Sequence, residues 1–167
     1  MLLPHSVAFV SSETALFSDL VQLGEERAQV ALPFHLRGYL VHCLIEYLSD
    51  PAIVSQVLAL DFLSSVRRTP GEQAVSLKRS GDASLILAGL FPTRARRLNV
   101  GSEYFRTMGQ SFFGMLATYL TDTGERERGR LYNEVAQQFP TLERVLGATR
   151  TTDNEWDAYQ RFRLKLN

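Results

Sequence analysis

Apolar residues recur along this chain at intervals of three and four positions, which is the spacing of one face of an α-helix. No segment alternates apolar and polar residues over the length of a strand. The pattern predicts an all-α fold, with one domain over residues 1–167 built as a helical bundle of about seven to eight helices. The predicted helices cover about residues 11–29, 34–48, 51–67, 72–90, 102–121, 125–139, 140–147 and 152–167, with a short helical piece at 93–98.

Residues that start and stop helices set the boundaries of these segments. Ser11 or Ser12 is suited to cap the first helix, because a serine hydroxyl accepts a hydrogen bond from a free backbone N–H group. Ser102 is suited to the same role at the start of the fifth helix. Pro70 is expected to separate the third helix from a fourth helix that begins at Glu72.

Two helices in the middle of the chain carry rows of small residues. The fourth has Ala74, Gly81 and Ala88, one every seven positions, and such a stripe lets a neighbouring helix approach closely. The fifth has large side chains along one side and small ones along another, which predicts neighbours on both sides. The large residues are Tyr104, Phe105, Met108, Phe112, Met115, Leu116, Tyr119 and Leu120, and the small ones are Thr107, Ser111, Gly114 and Thr118.

Composition and charge narrow the class of protein. With 45% hydrophobic and 22% charged residues, the chain has the balance of an ordinary folded domain. Its formal net charge is zero, which disfavours specific nucleic-acid binding, and no uncharged apolar run approaches the ~20 residues of a membrane span. The single cysteine, Cys43, cannot form an internal disulfide, and the first residues lack the basic start of a signal peptide. We therefore expect a cytoplasmic protein.

The middle of the chain contains the segments GDASLILAGLFP, RRLNV and SEYFRTMGQSFFGMLA in that order. They resemble a pattern of an uncharacterised family of bacterial all-helical proteins, which reads GD-x-SL, an FP break, an arginine-rich turn and a Y[YF]-x-x-MG helix. The upstream segment GYLVHCLIEYL is similar to that family's second helix. Leu90 stands where the pattern has an aromatic residue, and Phe105 and Phe113 stand where it has tyrosines, which argues against hydroxyl-dependent catalysis there. The resemblance implies an all-helical fold and no activity.

A cluster of arginines follows the proline break. The cluster consists of Arg94, Arg96 and Arg97, and Arg79 on the preceding helix can join it. Guanidinium groups bind phosphate and carboxylate through paired hydrogen bonds, so Arg79, Arg94 and Arg97 are candidate ligands of a small anion, with Tyr104 nearby. The alternative is structural. Asp82 lies on a largely apolar helix and needs a charge partner, which Arg97 can supply. A structural ion pair between Asp82 and Arg97 is the simpler interpretation, because buried charges are normally paired.

The second predicted helix carries His42 and Glu46 away from its apolar face. Their spacing of four residues would let them share one metal ion. A helical di-iron site also needs Glu-x-x-His motifs on partner helices, and the sequence contains none. We therefore predict neither a metal site nor a cofactor, and interpret His42 and Glu46 as a polar pair.

Catalytic motifs are missing from the sequence. It has no G-x-S-x-G, P-loop, G-x-G-x-x-G or H-E-x-x-H segment, and Cys43 has the apolar helical neighbours of an inert thiol. The last predicted helix combines Trp156, Tyr159 and Phe162 with arginines, a composition common at protein interfaces. Packing of this helix onto the core of the same chain is the simpler interpretation. The leading hypothesis is a non-catalytic module that binds a protein partner or a second copy of itself. A protein that binds a small anionic metabolite is the alternative, and a helical metal-dependent enzyme is the second alternative.

Overall fold

The computed structural model describes the backbone of residues 5–49, 69–92 and 102–150, and the side chains of residues 13–47, 69–92 and 103–150. Within these ranges there are six helices and no strands, which confirms the all-α prediction. The helices are α1 (His5–Ala28), α2 (Phe34–Ser49), α3 (Pro70–Leu90), α4 (Ser102–Asp122), α5 (Arg126–Gln137) and α6 (Phe139–Ala148). The helical segments predicted at 51–67, 93–98 and 152–167 lie outside the described residues.

The chain divides into two compact units, one formed by residues 1–49 with 144–167 and the other by residues 50–143. The first unit contains α1, α2 and the end of α6, and the second contains α3, α4, α5 and the start of α6. The boundary lies inside α6, between Glu143 and Arg144. The single domain over residues 1–167 stays a prediction.

In the first unit, a buried carboxylate fastens the loop between α1 and α2. Glu25 is only 5% exposed, and its Oε1 accepts a hydrogen bond from the backbone N–H of Leu32 at 2.6 Å. The guanidinium of Arg37 on α2 donates to both carboxylate oxygens, at 2.7 and 3.0 Å. These hydrogen bonds and the attraction between the charges hold the pKa of Arg37 above its usual value. One acidic side chain thus fixes the loop and the start of α2.

The end of α6 packs against the end of α1 within the same unit. A Cβ atom on Gly24 would lie 2.5 Å from the carbonyl oxygen of Val145, so the two backbones meet at the glycine. Arg144 on α6 donates to the carbonyl of Ala28 at 2.7 Å, at the C-terminus of α1. Cations at this end of a helix satisfy free carbonyl groups and interact favourably with the helix dipole. The helix α1 continues through Gly24 to Ala28.

In the second unit, α3 begins two residues before its predicted start. The side chain of Thr69 accepts a hydrogen bond from the backbone N–H of Glu72, and the Glu72 carboxylate accepts one from the backbone N–H of Thr69 at 3.0 Å. This reciprocal capping box makes Pro70 the first helical residue, where its missing N–H group costs nothing. Pro70 therefore starts this helix rather than separating two helices.

The close approach predicted from the small residues of α3 occurs against α4. A Cβ on Gly81 would lie 2.6 Å from the ring of Phe113, so the ring occupies the space of the missing side chain. A Cβ on Gly109 would overlap the ring of Phe139 and lie 3.1 Å from Cβ of Ser84. Every residue from Gly81 to Leu90 is buried, which places the second half of α3 in the core.

Aromatic rings join α4 to α5 and to the start of α6. The rings of Phe113 and Tyr132 are stacked with centroids 6.0 Å apart, and Phe113 and Phe139 are 6.2 Å apart. The guanidinium of Arg106 on α4 donates to both oxygens of Glu143, at 2.5 and 3.0 Å. Hydrogen bonding to Glu143 raises the pKa of Arg106 above its usual value, although partial burial opposes the shift.

Two sequence predictions about helix ends and faces are wrong. Ser11 and Ser12 do not cap α1, because the preceding residues from His5 are already helical and leave no free N–H groups at the serines. The prediction that the small side of α4 packs against a neighbour is wrong as well. Thr107, Ser111 and Thr118 are exposed, because α4 makes its close contacts through Gly109 and Phe113 on the other side of the helix.

Substituting Gly109 tests the close contact around Phe139. We expect Gly109→Ala to lower the free energy of unfolding by about 1–3 kcal/mol, because Phe139 is fully buried and its ring has no space to move. Gly114→Ala is the matched control in the same helix. Nothing lies within 4 Å of its added Cβ, so better helix propensity should raise stability by up to about 1 kcal/mol. Urea unfolding measures both, and an equal effect of the two changes would contradict this packing.

Two arginine–glutamate pairs in the second unit differ in burial. We expect Arg106→Ala to cost about 2 kcal/mol or more, because it leaves Glu143 buried without its charge partner. Arg128→Ala removes an exposed pair with Glu125 and should cost less than about 1 kcal/mol. Thermal or urea unfolding of the two variants gives the comparison. A larger effect of Arg128→Ala would show that burial does not set the strength of these pairs.

Candidate functional site

The anion-binding hypothesis rests on four side chains, of which the structure describes two. Arg79 is exposed on α3. Tyr104 lies in the first turn of α4, is 50% exposed, and meets the ring of Phe105 edge-on with centroids 5.4 Å apart. Arg94 and Arg97 lie outside the described residues, so the grouping of all four stays a prediction.

Asp82 is buried on α3 at 6% exposure, and it has a charge partner on its own helix. Its Oδ2 lies 2.7 Å from Nζ of Lys78, one helical turn earlier. Arg97 was predicted for this role from the sequence and Lys78 was not, although spacing by four residues is the usual signal of an ion pair along a helix. The pair between Asp82 and Arg97 stays a prediction, because Arg97 lies outside the described residues.

The remaining polar and reactive side chains of the sequence hypotheses have ordinary surroundings. Ser84 donates to the carbonyl of Ser80 at 2.7 Å, which is a local hydrogen bond within α3. Cys43 is 4% exposed on α2. His42 and Glu46 lie on the exposed side of the same helix. Across the described parts of the chain, no group of three or more His, Cys, Asp or Glu residues could hold a metal ion.

The outer face of α4 is an exposed helix surface without charged residues. We use this name for Tyr104, Thr107, Ser111, Met115 and Thr118, which recur every three or four positions and are all exposed. Tyr104 is 50% exposed and Met115 is 43% exposed. No charged residue occurs between Thr107 and Thr121 in the sequence. Exposed helix faces usually carry charged side chains, and 22% of the residues of this chain are charged.

Two of the hydroxyl groups on the outer face of α4 donate their hydrogen bonds inside the helix. Ser111 donates to the carbonyl of Thr107 at 3.0 Å, and Thr118 donates to the carbonyl of Gly114 at 3.1 Å. Their polar donors are therefore satisfied without water. Burying a hydroxyl usually costs free energy because its donor loses the hydrogen bond to water. The donors of Ser111 and Thr118 would stay paired if this surface were removed from water.

The ion pairs of the buried carboxylates Glu25 and Glu143, with Arg37 and Arg106, were not predicted from the sequence. Their partners are 12 and 37 positions apart, so no local spacing signals them. The prediction from the sequence also placed Thr107, Ser111 and Thr118 on a packed side of α4, which the structure leaves exposed. The interface predicted from Trp156, Tyr159 and Phe162 lies outside the described residues.

No protein-family model, curated protein or solved structure matches this chain. The resemblance to a bacterial helical family therefore stays a prediction. None of the helices that the structure describes is long and apolar enough to cross a membrane.

Double-mutant cycles test which cation supports Asp82. We expect Lys78→Met and Asp82→Asn to be coupled by about 1 kcal/mol or more in the free energy of unfolding, because the two charges are in contact and partly buried. A parallel cycle with Arg97→Met tests the second pair. Coupling in the Arg97 cycle without coupling in the Lys78 cycle would contradict the contact described here.

Proposed function

We propose that the protein is a non-catalytic cytoplasmic binding module whose docking surface is the outer face of α4. The finer architecture we propose is one helical bundle of about seven to eight helices. The observation that carries the functional proposal is an exposed, uncharged helix face on which the donors of Ser111 and Thr118 are already satisfied within the helix.

The composition of this face fits a protein partner. The centres of protein interfaces are depleted of charged residues and enriched in tyrosine and methionine, which are the two large residues here, Tyr104 and Met115. The small side chains between them let another helix approach closely. A small polar ligand would need convergent hydrogen-bond donors, and Ser111 and Thr118 direct theirs into their own helix.

The position of α4 in the second unit keeps this face open. Its opposite side holds the buried residues Phe105, Phe112 and Phe113, and it packs on α3 and α5 through glycine and aromatic contacts. A helix held in this way on one side presents its other side rigidly. Rigid presentation reduces the conformational entropy that binding would otherwise remove.

Photo-crosslinking in cells tests the docking surface. We expect the photoreactive residue benzoylphenylalanine in place of Tyr104, an aromatic-for-aromatic change at a half-exposed position, to give a specific crosslinked protein product. The same residue in place of Glu127, exposed on α5, is the control and should give no such product. Absence of any product from Tyr104 and from a second probe at Met115 would overturn the proposal.

A further inference from the structure

We propose that the partner of the outer face of α4 is an acidic amphipathic helix of another protein, which lies along α4 and directs carboxylates toward Arg126 and Arg130 of α5. This inference rests on the proposed function, and it adds the chemistry of the partner. Its starting observation is that these two arginines, which we call the arginine pair, are exposed beside an uncharged surface.

Helix α5 runs along one edge of the outer face of α4. The side chain of Gln110 on α4 donates to the carbonyl of Ala136 on α5 at 3.1 Å. A Cβ atom on Gly129 of α5 would overlap the hydroxyl of Thr121, which lies one turn after Thr118 of the outer face. The contact between the two helices therefore borders this face.

The arginine pair lies on the solvent side of this contact. Tyr132 is buried and marks the inner side of α5, whereas a row of residues spaced by three or four positions is exposed. The row consists of Arg126, Arg130, Asn133 and Gln137. Arg126 and Asn133 are three and four positions from Gly129, which places the row next to the contact with α4. Two positive charges thus flank the outer face of α4.

The charges of the arginine pair are not matched within the described residues. Neither guanidinium is bound to a carboxylate in the part of the chain that the structure describes, whereas Arg128 between them is paired with Glu125. Arg126 is also the first residue of α5, where the helix dipole disfavours a positive charge. A carboxylate of a partner would offset both charges, so charge complementarity selects an acidic partner.

An amphipathic helix fits both parts of this surface. Nothing lies within 4 Å of a Cβ atom added to Gly114, so the edge of α4 toward α5 has open space for a close approach. Arg126 and Arg130 are about 6 Å apart along α5, and carboxylates spaced by four residues on a helix match that distance. Nucleic acid fits less well, because its phosphates would meet no cation between Thr107 and Thr121.

Two carboxylates at the ends of α4 restrict where the acidic residues of the partner fit. Glu103 lies in the first turn, where its charge acts on Arg106, and Asp122 is the last residue of the helix. An acidic row directly over α4 would meet both carboxylates, and in an antiparallel pair of α4 helices Glu103 would meet Asp122. The carboxylates of the partner therefore belong on its flank toward α5.

Neutralising the arginine pair tests the charge of the partner. With benzoylphenylalanine in place of Met115 in cells, we expect Arg126→Gln/Arg130→Gln to lower the yield of the crosslinked product about fivefold or more, because the partner loses two attractive charges. Arg126→Lys/Arg130→Lys keeps both charges and should keep the product. A yield that is unchanged by the glutamine variant overturns this inference and leaves the proposed docking surface standing.

The melting temperature separates loss of the partner from loss of the fold. We expect Arg126→Gln/Arg130→Gln to melt within about 2 °C of the native chain, because exposed charges without a partner add little to the stability of the folded state. A larger fall in the melting temperature would show that the arginine pair supports the fold, and it would overturn the inference.

The segment to which the probe attaches decides the chemistry of the partner. We expect mass spectrometry to locate it in a helical segment of another protein, with Asp or Glu residues along one flank. Attachment to a second copy of this chain, or to a segment without Asp and Glu, overturns the inference and leaves the docking surface standing. No product from Met115 or from Tyr104 overturns both proposals.

Discussion

The packing of the second unit depends on two aromatic rings, each of which fills the space that a glycine leaves by having no side chain. The ring of Phe113 occupies the space beside Gly81, and the ring of Phe139 occupies the space beside Gly109. Each glycine costs about 1 kcal/mol of helix propensity relative to alanine, and the fully buried rings offset that cost. Both rings lie at the close contacts of α4, against Gly81 and at Gly109. They therefore set both the distance between α3 and α4 and the rotation of α4 about its axis.

Three buried carboxylates are held by cations, one in the first unit and two in the second. Glu25, Asp82 and Glu143 are each at most 9% exposed, and each is paired with a cation at hydrogen-bonding distance. Two of these pairs join different helices and carry paired hydrogen bonds, which fix the orientation of the guanidinium as well as its distance. A shift of either helix would leave a buried charge without its partner, which is strongly destabilising. Apolar contacts alone would tolerate such a shift more easily.

The rotation of α4 links this packing to the proposed function. With Gly109 and Phe113 turned inward, the row of Thr107, Ser111 and Thr118 must face outward. The hydroxyl groups of Ser111 and Thr118 donate within the helix, so these two donors need no hydrogen bond from a partner. Binding and folding therefore use opposite sides of one helix.

The sequence by itself determined the helical class, the extent of α2 and the close approach at Gly81, because these depend on periodicity and residue size along one segment. It also singled out the two sides of α4, yet it did not determine which side packs. That choice depends on where Phe139 lies, 30 residues after Gly109, and only the tertiary structure shows it. The pairing of Arg106 with Glu143 was undetermined for the same reason. Interactions between distant segments have no local spacing, so packing alone decided which charges were paired and which surface was left open.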